Sequence, residues 1–378
     1  MRVVMFSDSY YPYISGVTRS IANTRESLVA MGHDVHIFCP NYPNVVNEQG
    51  IHRLPSIKAP TNSSYYVAIP LGAKLLDKVA AMGADVVHIH SPFNLGKAGL
   101  KVGRRMGLPV VFTYHTMYNM YSHYVPVLGR NVSHVVEGLA LAVANSVDSV
   151  VTPSPAMADY LKERGVTKPI TAIPNGIDVR ELSSGDRGFL RRALGLPEGV
   201  PVVLTCGRLG AEKNLAVLLH SFALTAKESE AVLVLVGDGP LRAELLALSA
   251  SLGVRDRTFF AGSFPPSKMA DVYAGADLFL FASLTDTQGL VLVEAKAAGL
   301  PAVAVGALGV KDMVRHGQDG FLCENDPKDL SEKTLALLRD PSLRAKMSEN
   351  AKKAAHAFSK ESCAAKLLTC YESVIRQP

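Results

Sequence analysis

The segment Leu278–Val305, LFLFASLTDTQGLVLVEAKAAGLPAVAV, decides the fold. Leu278–Ala282 and Ala302–Val305 are short apolar runs of the buried-strand kind, and a helix is expected between them. Gly299 suits the end of that helix and Pro301 the exit from it. Strand, helix, strand in this order predicts a parallel sheet, with the loop Leu284–Gln288 at its carboxyl edge. Backbone N–H groups from about Gly289 onward open the helix, a natural seat for an anion. Asp286 in the loop and Glu294 in the helix would stand ~12 Å apart if the segment were wholly helical. Glu294 is flanked by Val291, Leu292, Val293 and Ala295. A carboxylate there is costly unless partnered, the alternative being a solvated helix face near Lys296.

The rest of the chain bounds what this segment can serve. With 378 residues and 48% hydrophobic content, two sizeable cores and hence two domains are expected. No apolar run approaches the ~20 residues of a membrane span. Met1–Ser7 is too short for a signal peptide before Asp8 interrupts it, so a cytoplasmic protein is expected. Cys39, Cys206, Cys323, Cys363 and Cys370 are scattered and odd in number, which favours reduced thiols over a disulfide frame or zinc site. Neither a metal nor a cofactor is expected.

Arg2–Ser7, a helix from about Thr18 to Met31 and Val35–Cys39 form a βαβ opening. The G-x-G-x-x-G of a dinucleotide site is absent after the first strand, which removes the main support for a dehydrogenase. Ser15-Gly16-Val17 supplies one glycine where the chain turns into its helix. Strands at Ala84–His90 and Pro109–Thr113 place His90 and His115 at strand ends, where open α/β sheets bind ligands. Between Ile51 and Arg105 eight basic residues face two acidic ones, while the whole chain carries only +5. Within that segment Pro70–Met82 reads as an amphipathic helix, with Leu71, Leu75, Leu76 and Val79 on one side and Lys74 and Lys78 near its edge. A solvated basic face explains this, and so does docking on an anionic lipid surface. Nucleic acid is not expected as a partner, because no recognition motif is present and the chain as a whole is not strongly basic.

Ser149–Thr152 and Ile170–Pro174 close the first half, and Val179–Gly199 reads as an interdomain connection. Pro201–Cys206 then begins a second α/β unit, followed by Gly207-Arg208-Leu209-Gly210-Ala211-Glu212-Lys213-Asn214. Two cations at a strand-to-helix junction suit a diphosphate, Arg208 as a bidentate fork and Lys213 as a point charge. A surface salt-bridge pair is the alternative.

Taken together, these motifs resemble those of the retaining GT-B glycosyltransferases of family 4. Asp286-x7-Glu294 with Ala295–Pro301 is similar to that family's E-x7-E signature, Asp286 standing where Glu is usual. Gly207–Asn214 is similar to its GR-x4-KN motif, Gly237-Asp238-Gly239-Pro240 to its G-x-G-P, and Asn175-Gly176-Ile177-Asp178 to its PNGID turn. Thr285–Leu290 and the aromatic run Tyr114–Val125 resemble the corresponding stretches of bacterial diacylglycerol glucosyltransferases.

The resemblance implies two doubly wound Rossmann-like domains facing a central cleft. They would be an acceptor-binding domain over 1–182, with the helix 358–378 packing back on it, and a donor-binding domain over 183–357. It implies transfer of a hexose, glucose from UDP-glucose, to a lipid such as diacylglycerol at the inner face of the cell membrane, with retention of configuration. By family analogy, attack is from the front face and is assisted by the leaving phosphate. His115, Arg208, Lys213 and Asp286 would be catalytic. Gly16, Gly289, Leu290, Val291 and Glu294 would join Arg208 and Lys213 on the donor, while His90, Tyr118 and Tyr121 would contact the acceptor. Three alternatives remain: a soluble acceptor, a GDP-mannose donor, and a non-catalytic nucleotide-sugar binder, the last disfavoured by intact Arg208, Lys213, His115 and Glu294.

Overall fold

The computed structural model describes residues 1–59, 65–70, 72–118 and 131–376. They divide into two compact units, Met1–Gly176 with Lys360–Pro378, and Ile177–Ser359. The sequence-based division after 182 falls at the end of the short helix Val179–Leu182, within the second unit.

The strands of the first unit are β1 (Arg2–Phe6), β2 (Asp34–Pro40), β3 (Ile51–Leu54), β4 (Ser56–Lys58), β5 (Tyr66–Ala68), β6 (Val86–Ile89), β7 (Val110–Thr113), β8 (Ser149–Thr152) and β9 (Ile170–Ala172). Seven of them form one parallel sheet in the order β3-β2-β1-β6-β7-β8-β9, and β4 and β5 form a separate antiparallel ribbon. The central strands are apolar on both faces because crossover helices cover both. The direction of winding reverses between β1 and β6, which makes their carboxyl ends a topological switch point.

Two helices frame that point. Gly16–Ala30 starts on a capping box: the Ser15 hydroxyl accepts from Thr18 N, and Ser15 N donates to the Thr18 hydroxyl. The chain's last helix, Lys360–Ile375, buries Cys363, Ala364, Leu367, Cys370 and Tyr371 in one cluster with Val3, Met5 and Val86 of the sheet. The expected amphipathic helix runs over Gly72–Met82, and its apolar side is not a free surface. Leu75 and Val79 are buried, so that stripe serves the protein interior. Leu71 lies outside the described residues. The next helix, Asn94–Met106, turns Lys97, Lys101, Arg104 and Arg105 outward, all four exposed.

The second unit contains β10 (Val202–Cys206), β11 (Val232–Val236), β12 (Thr258–Gly262), β13 (Leu278–Phe281), β14 (Ala302–Val305) and β15 (Gly320–Cys323). They form one parallel sheet in the order β12-β11-β10-β13-β14-β15. Alternate residues feed two cores, one on each face: Leu204, Phe279 and Ala304 join one, Val203, Leu280 and Val303 the other. Here the switch point lies between β10 and β13. Among the described residues no helix is long and apolar enough to cross a membrane.

Candidate active site

The motifs of the second unit meet at its switch point. Arg208 and Lys213 follow β10, Asp286 follows β13, and Lys213 Nζ lies 2.9 and 2.8 Å from the two oxygens of Asp286. Two further bonds tie the same loops. The Ser283 hydroxyl donates to Glu212 O at 3.0 Å, and Asn214 Nδ2 donates to Ala282 O at 3.2 Å. Arg208 is exposed and lines one concavity with Lys213, Gly207 and Phe281. From behind, the loop after β11 is bonded to the Arg208 loop by Leu209 N to Asp238 O at 3.0 Å and Leu241 N to Leu209 O at 3.0 Å.

The loop Thr285–Gln288 is held from its other side by Gly309, whose N–H donates to Asp286 O at 3.2 Å. A Cβ at that position would fall 2.0 Å from Thr287 O, so only glycine permits the approach. Gly289 then turns the chain with φ 75°, in the left-handed region, and the helix Leu290–Ala297 begins. Its first N–H groups, at Leu290 and Val291, have no acceptor within the helix.

Glu294 sits just over one turn into this helix and is fully buried. Tyr273 OH donates to its Oε2 at 2.7 Å. The solvated-face alternative therefore fails, and it fails for Lys296 as well. Lys296 is buried, donates to Met313 O, and lies 3.2 Å from the fully buried Asp319. Tyr273 as partner of Glu294 was not assigned from sequence, since nothing in the spacing of residues 273 and 294 signals a contact.

In the first unit three buried histidines form a stack at the carboxyl ends of β6 and β7. His90 Nδ1 lies 3.0 Å from His115 Nε2, and the rings of His88 and His90 have centroids 4.0 Å apart. His88 is held between Tyr371 OH at 2.6 Å and Thr113 Oγ1 at 2.7 Å. Among the described residues His90 Nε2 has no hydrogen-bond partner. Burial depresses all three, His115 to about 4 and His88 to about 3, so the stack is neutral at pH 7. A hydrogen bond with Asn175 opposes the shift at His115, and Asn175 is itself bonded to the Ser20 hydroxyl at 2.6 Å.

Gly16 is the exposed first residue of its helix. Tyr118 packs edge-on against Phe93 and Tyr114, with centroids 5.6 and 5.2 Å away. Tyr121 lies outside the described residues. A group the sequence did not single out is Asp8, buried just past β1. Its carboxylate accepts from the Ser91 hydroxyl at 2.5 Å and from Leu95 N at 3.0 Å, joining the loops after β1 and β6. Burial raises its pKa, against the pull of those bonds.

Comparisons with known proteins identify the family. The family described as "Glycosyltransferase Family 4" matches residues 14–181, and "Glycosyl transferases group 1" matches 186–354. An alpha-monoglucosyldiacylglycerol synthase of Streptococcus pneumoniae is 33% identical over 81% of this chain and 71% of its own. The protein of the same name from Acholeplasma laidlawii is 29% identical over 99% of this chain and 98% of its own. A GDP-mannose-dependent alpha-mannosyltransferase of Mycobacterium tuberculosis is 28% identical over 85% of this chain and 83% of its own. Among solved structures, Anabaena Alr3699/HepE with UDP and glucose superposes with a TM-score of 0.76 at 22% identity, over 99% of this chain and 100% of that one. The chain therefore belongs to the family 4 glycosyltransferases, and its two doubly wound units are those of the GT-B fold.

Proposed function

We propose that this glycosyltransferase moves glucose from UDP-glucose to a membrane lipid, diacylglycerol or a close analogue, with retention at the anomeric carbon. The observation that carries the donor half is the gathering of Arg208, Lys213, Asp286 and a helix start at one switch point. Arg208, Lys213 and the N–H groups of Leu290 and Val291 take the diphosphate, Glu294 the ribose and Asp286 the sugar. As the bond from the anomeric carbon to the phosphate oxygen breaks, negative charge grows on the leaving group, and the cations stabilise it there. The new bond forms to the acceptor oxygen, whose proton passes to the departing phosphate. His115 is neutral at neutral pH and serves as a hydrogen-bonding group for the transferred sugar. His90 orients it, and Gly16 admits the phosphates.

The acceptor half rests on the two relatives named as glucosyldiacylglycerol synthases and on the outward basic face of Asn94–Met106, which suits a protein working at the surface of an anionic bilayer. His90, Tyr118 and Tyr121 are the proposed acceptor contacts. Mannosyl transfer from GDP-mannose is the second reading, favoured by the mannosyltransferase relatives. One experiment separates them: the purified protein with radiolabelled UDP-glucose, UDP-galactose or GDP-mannose and diacylglycerol in anionic mixed micelles. A labelled α-glycolipid from UDP-glucose alone supports the proposal. Label in a lipid only with GDP-mannose selects the second reading. Label only in water-soluble products removes the lipid acceptor.

A further inference from the structure

The second unit carries a cavity of about 390 Å³ that includes none of the donor-site residues. Asp277 and Pro301, which lead into β13 and β14, form part of its wall, so it lies at the amino ends of those strands. The donor loops lie at the carboxyl ends. β13 has 4 residues, which sets the two edges about 13 Å apart. The helix Leu290–Ala297 joins them, since it starts at Gly289 and the residues after it, Ala298–Pro301, line the cavity.

Four cations, Arg187, Arg191, Arg344 and Lys352, share this wall with a single acid, Asp277. The acid is already engaged. Its Oδ2 accepts from Val202 N at 2.8 Å and stands 3.8 Å from Arg191. Two of the arginines are held by carbonyls, which fix the guanidinium without cancelling its charge. Arg191 donates to Pro197 O and Val200 O, both at 2.8 Å, and Arg344 to Leu337 O at 2.9 Å and Leu338 O at 3.3 Å. Lys352 pairs with Glu349 one turn away, a contact between exposed groups that neutralises little. Among the described residues Arg187 has no ion-pair partner.

Like charges gathered around one concavity repel each other and concentrate counter-ions. Anchored guanidinium forks match the oxygens of phosphate in pairs, and Lys352 adds a point charge. We infer that this cavity is a second anion site, taking a phosphate-bearing ligand at the sheet edge opposite the donor. The assignment stands apart from the donor reading, because the two sites share no residue. A soluble phosphate ester and a phospholipid headgroup present the same chemistry, and the test distinguishes them.

The full chain carrying Arg208→Ala and Lys213→Ala, which strip the donor site of its phosphate cations, is titrated with inorganic pyrophosphate by calorimetry. The variant is Arg187→Ala with Lys352→Ala, chosen because neither side chain holds backbone in place. A saturable site is expected in that parent, with affinity at least tenfold lower once Arg187→Ala and Lys352→Ala are added. Thermal melting without ligand is expected to stay the same in the variant or rise, so a loss of binding is not a loss of fold. Phosphatidylglycerol vesicles form the second arm. A soluble ligand predicts that only the pyrophosphate titration changes, and a headgroup predicts that sedimentation with vesicles falls in the double variant. The inference is overturned if both measurements are the same in parent and variant.

Discussion

Lys213 Nζ contacts both carboxylate oxygens of Asp286, joining the loop after β10 to the loop after β13. The two side chains are 19% and 18% exposed, so solvent and salt screen the pair only in part. The cation assigned to the donor phosphates is thus already neutralised by the carboxylate assigned to the sugar. A bound diphosphate has to share or displace that contact.

Removing the carboxylate separates the two roles. Asp286→Asn is expected to keep or tighten free nucleoside diphosphate binding, because Lys213 is released, while transfer from the intact donor falls by about 10²-fold. Lys213→Ala is expected to weaken the nucleotide and cut turnover together. Calorimetry beside steady-state rates checks both. Equal losses of nucleotide affinity in the two variants would show the roles to be misassigned.

Glu294 raises a different question, since it is buried with Tyr273 as a hydrogen-bond partner. Glu294→Gln is expected to weaken free nucleotide and intact donor alike, through loss of the ribose contact proposed for it. Tyr273→Phe leaves a buried carboxylate oxygen short of a donor and is expected to cost about 1–3 kcal/mol of stability. A lower denaturation midpoint at unchanged slope is the signature. An unchanged midpoint would mean that the Tyr273 hydroxyl contributes nothing.

Much of this arrangement is legible in the chain. Strands buried on both faces are continuous apolar runs, and Val232–Val236, Leu278–Phe281 and Ala302–Val305 stand out for that reason, with ends right to within a residue or two. The short strands β3, β4 and β5 were missed. IHRL, SIK and YVA mix polar with apolar residues over three or four positions, too few to show a period. Periodicity revealed an apolar side on Gly72–Met82, but it cannot say what covers that side, and Leu75 and Val79 turned out to be interior. Motifs singled out the candidate site residues, whereas the partners of those residues carried no signal. His88 meets Tyr371 across a separation of 283 residues, a contact only the folded sheet and the returning helix create.

The histidine stack sets an acid limit on stability. His115 titrates near 4 and His88 near 3 in the folded protein, against an ordinary value of 6.5. Below pH 6.5 the unfolded chain takes up protons that the folded protein refuses, so stability falls as pH drops from about 6.5 toward 4. Asp8, with a raised pKa, acts in the opposite sense at the acid end. The melting temperature is expected to be flat from pH 8 to 7 and to fall below 6.5, less steeply in His115→Asn. A parent profile that stays flat down to pH 5 would contradict the buried neutral stack.

Leu75 and Val79 are interior, so the apolar stripe of Gly72–Met82 is not available to insert into lipid. Attraction to vesicles then has to come from charge, and Lys97, Lys101, Arg104 and Arg105 lie exposed on one helix, Asn94–Met106. Near an anionic surface each such charge adds about 1 kcal/mol. Binding is therefore expected on phosphatidylglycerol vesicles and not on phosphatidylcholine. Salt shortens the reach of these charges from about 8 Å at physiological strength to about 3 Å at 1 M, and binding is expected to vanish there, with no apolar remainder. Replacing all four by Gln is expected to release the protein from vesicles while donor hydrolysis in solution persists, since all four lie in the first unit, whereas Arg208, Lys213 and Asp286 lie in the second. Co-sedimentation decides the matter. Attachment that survives both 1 M salt and the fourfold variant would mean that another surface, or an apolar insertion, holds this enzyme on lipid.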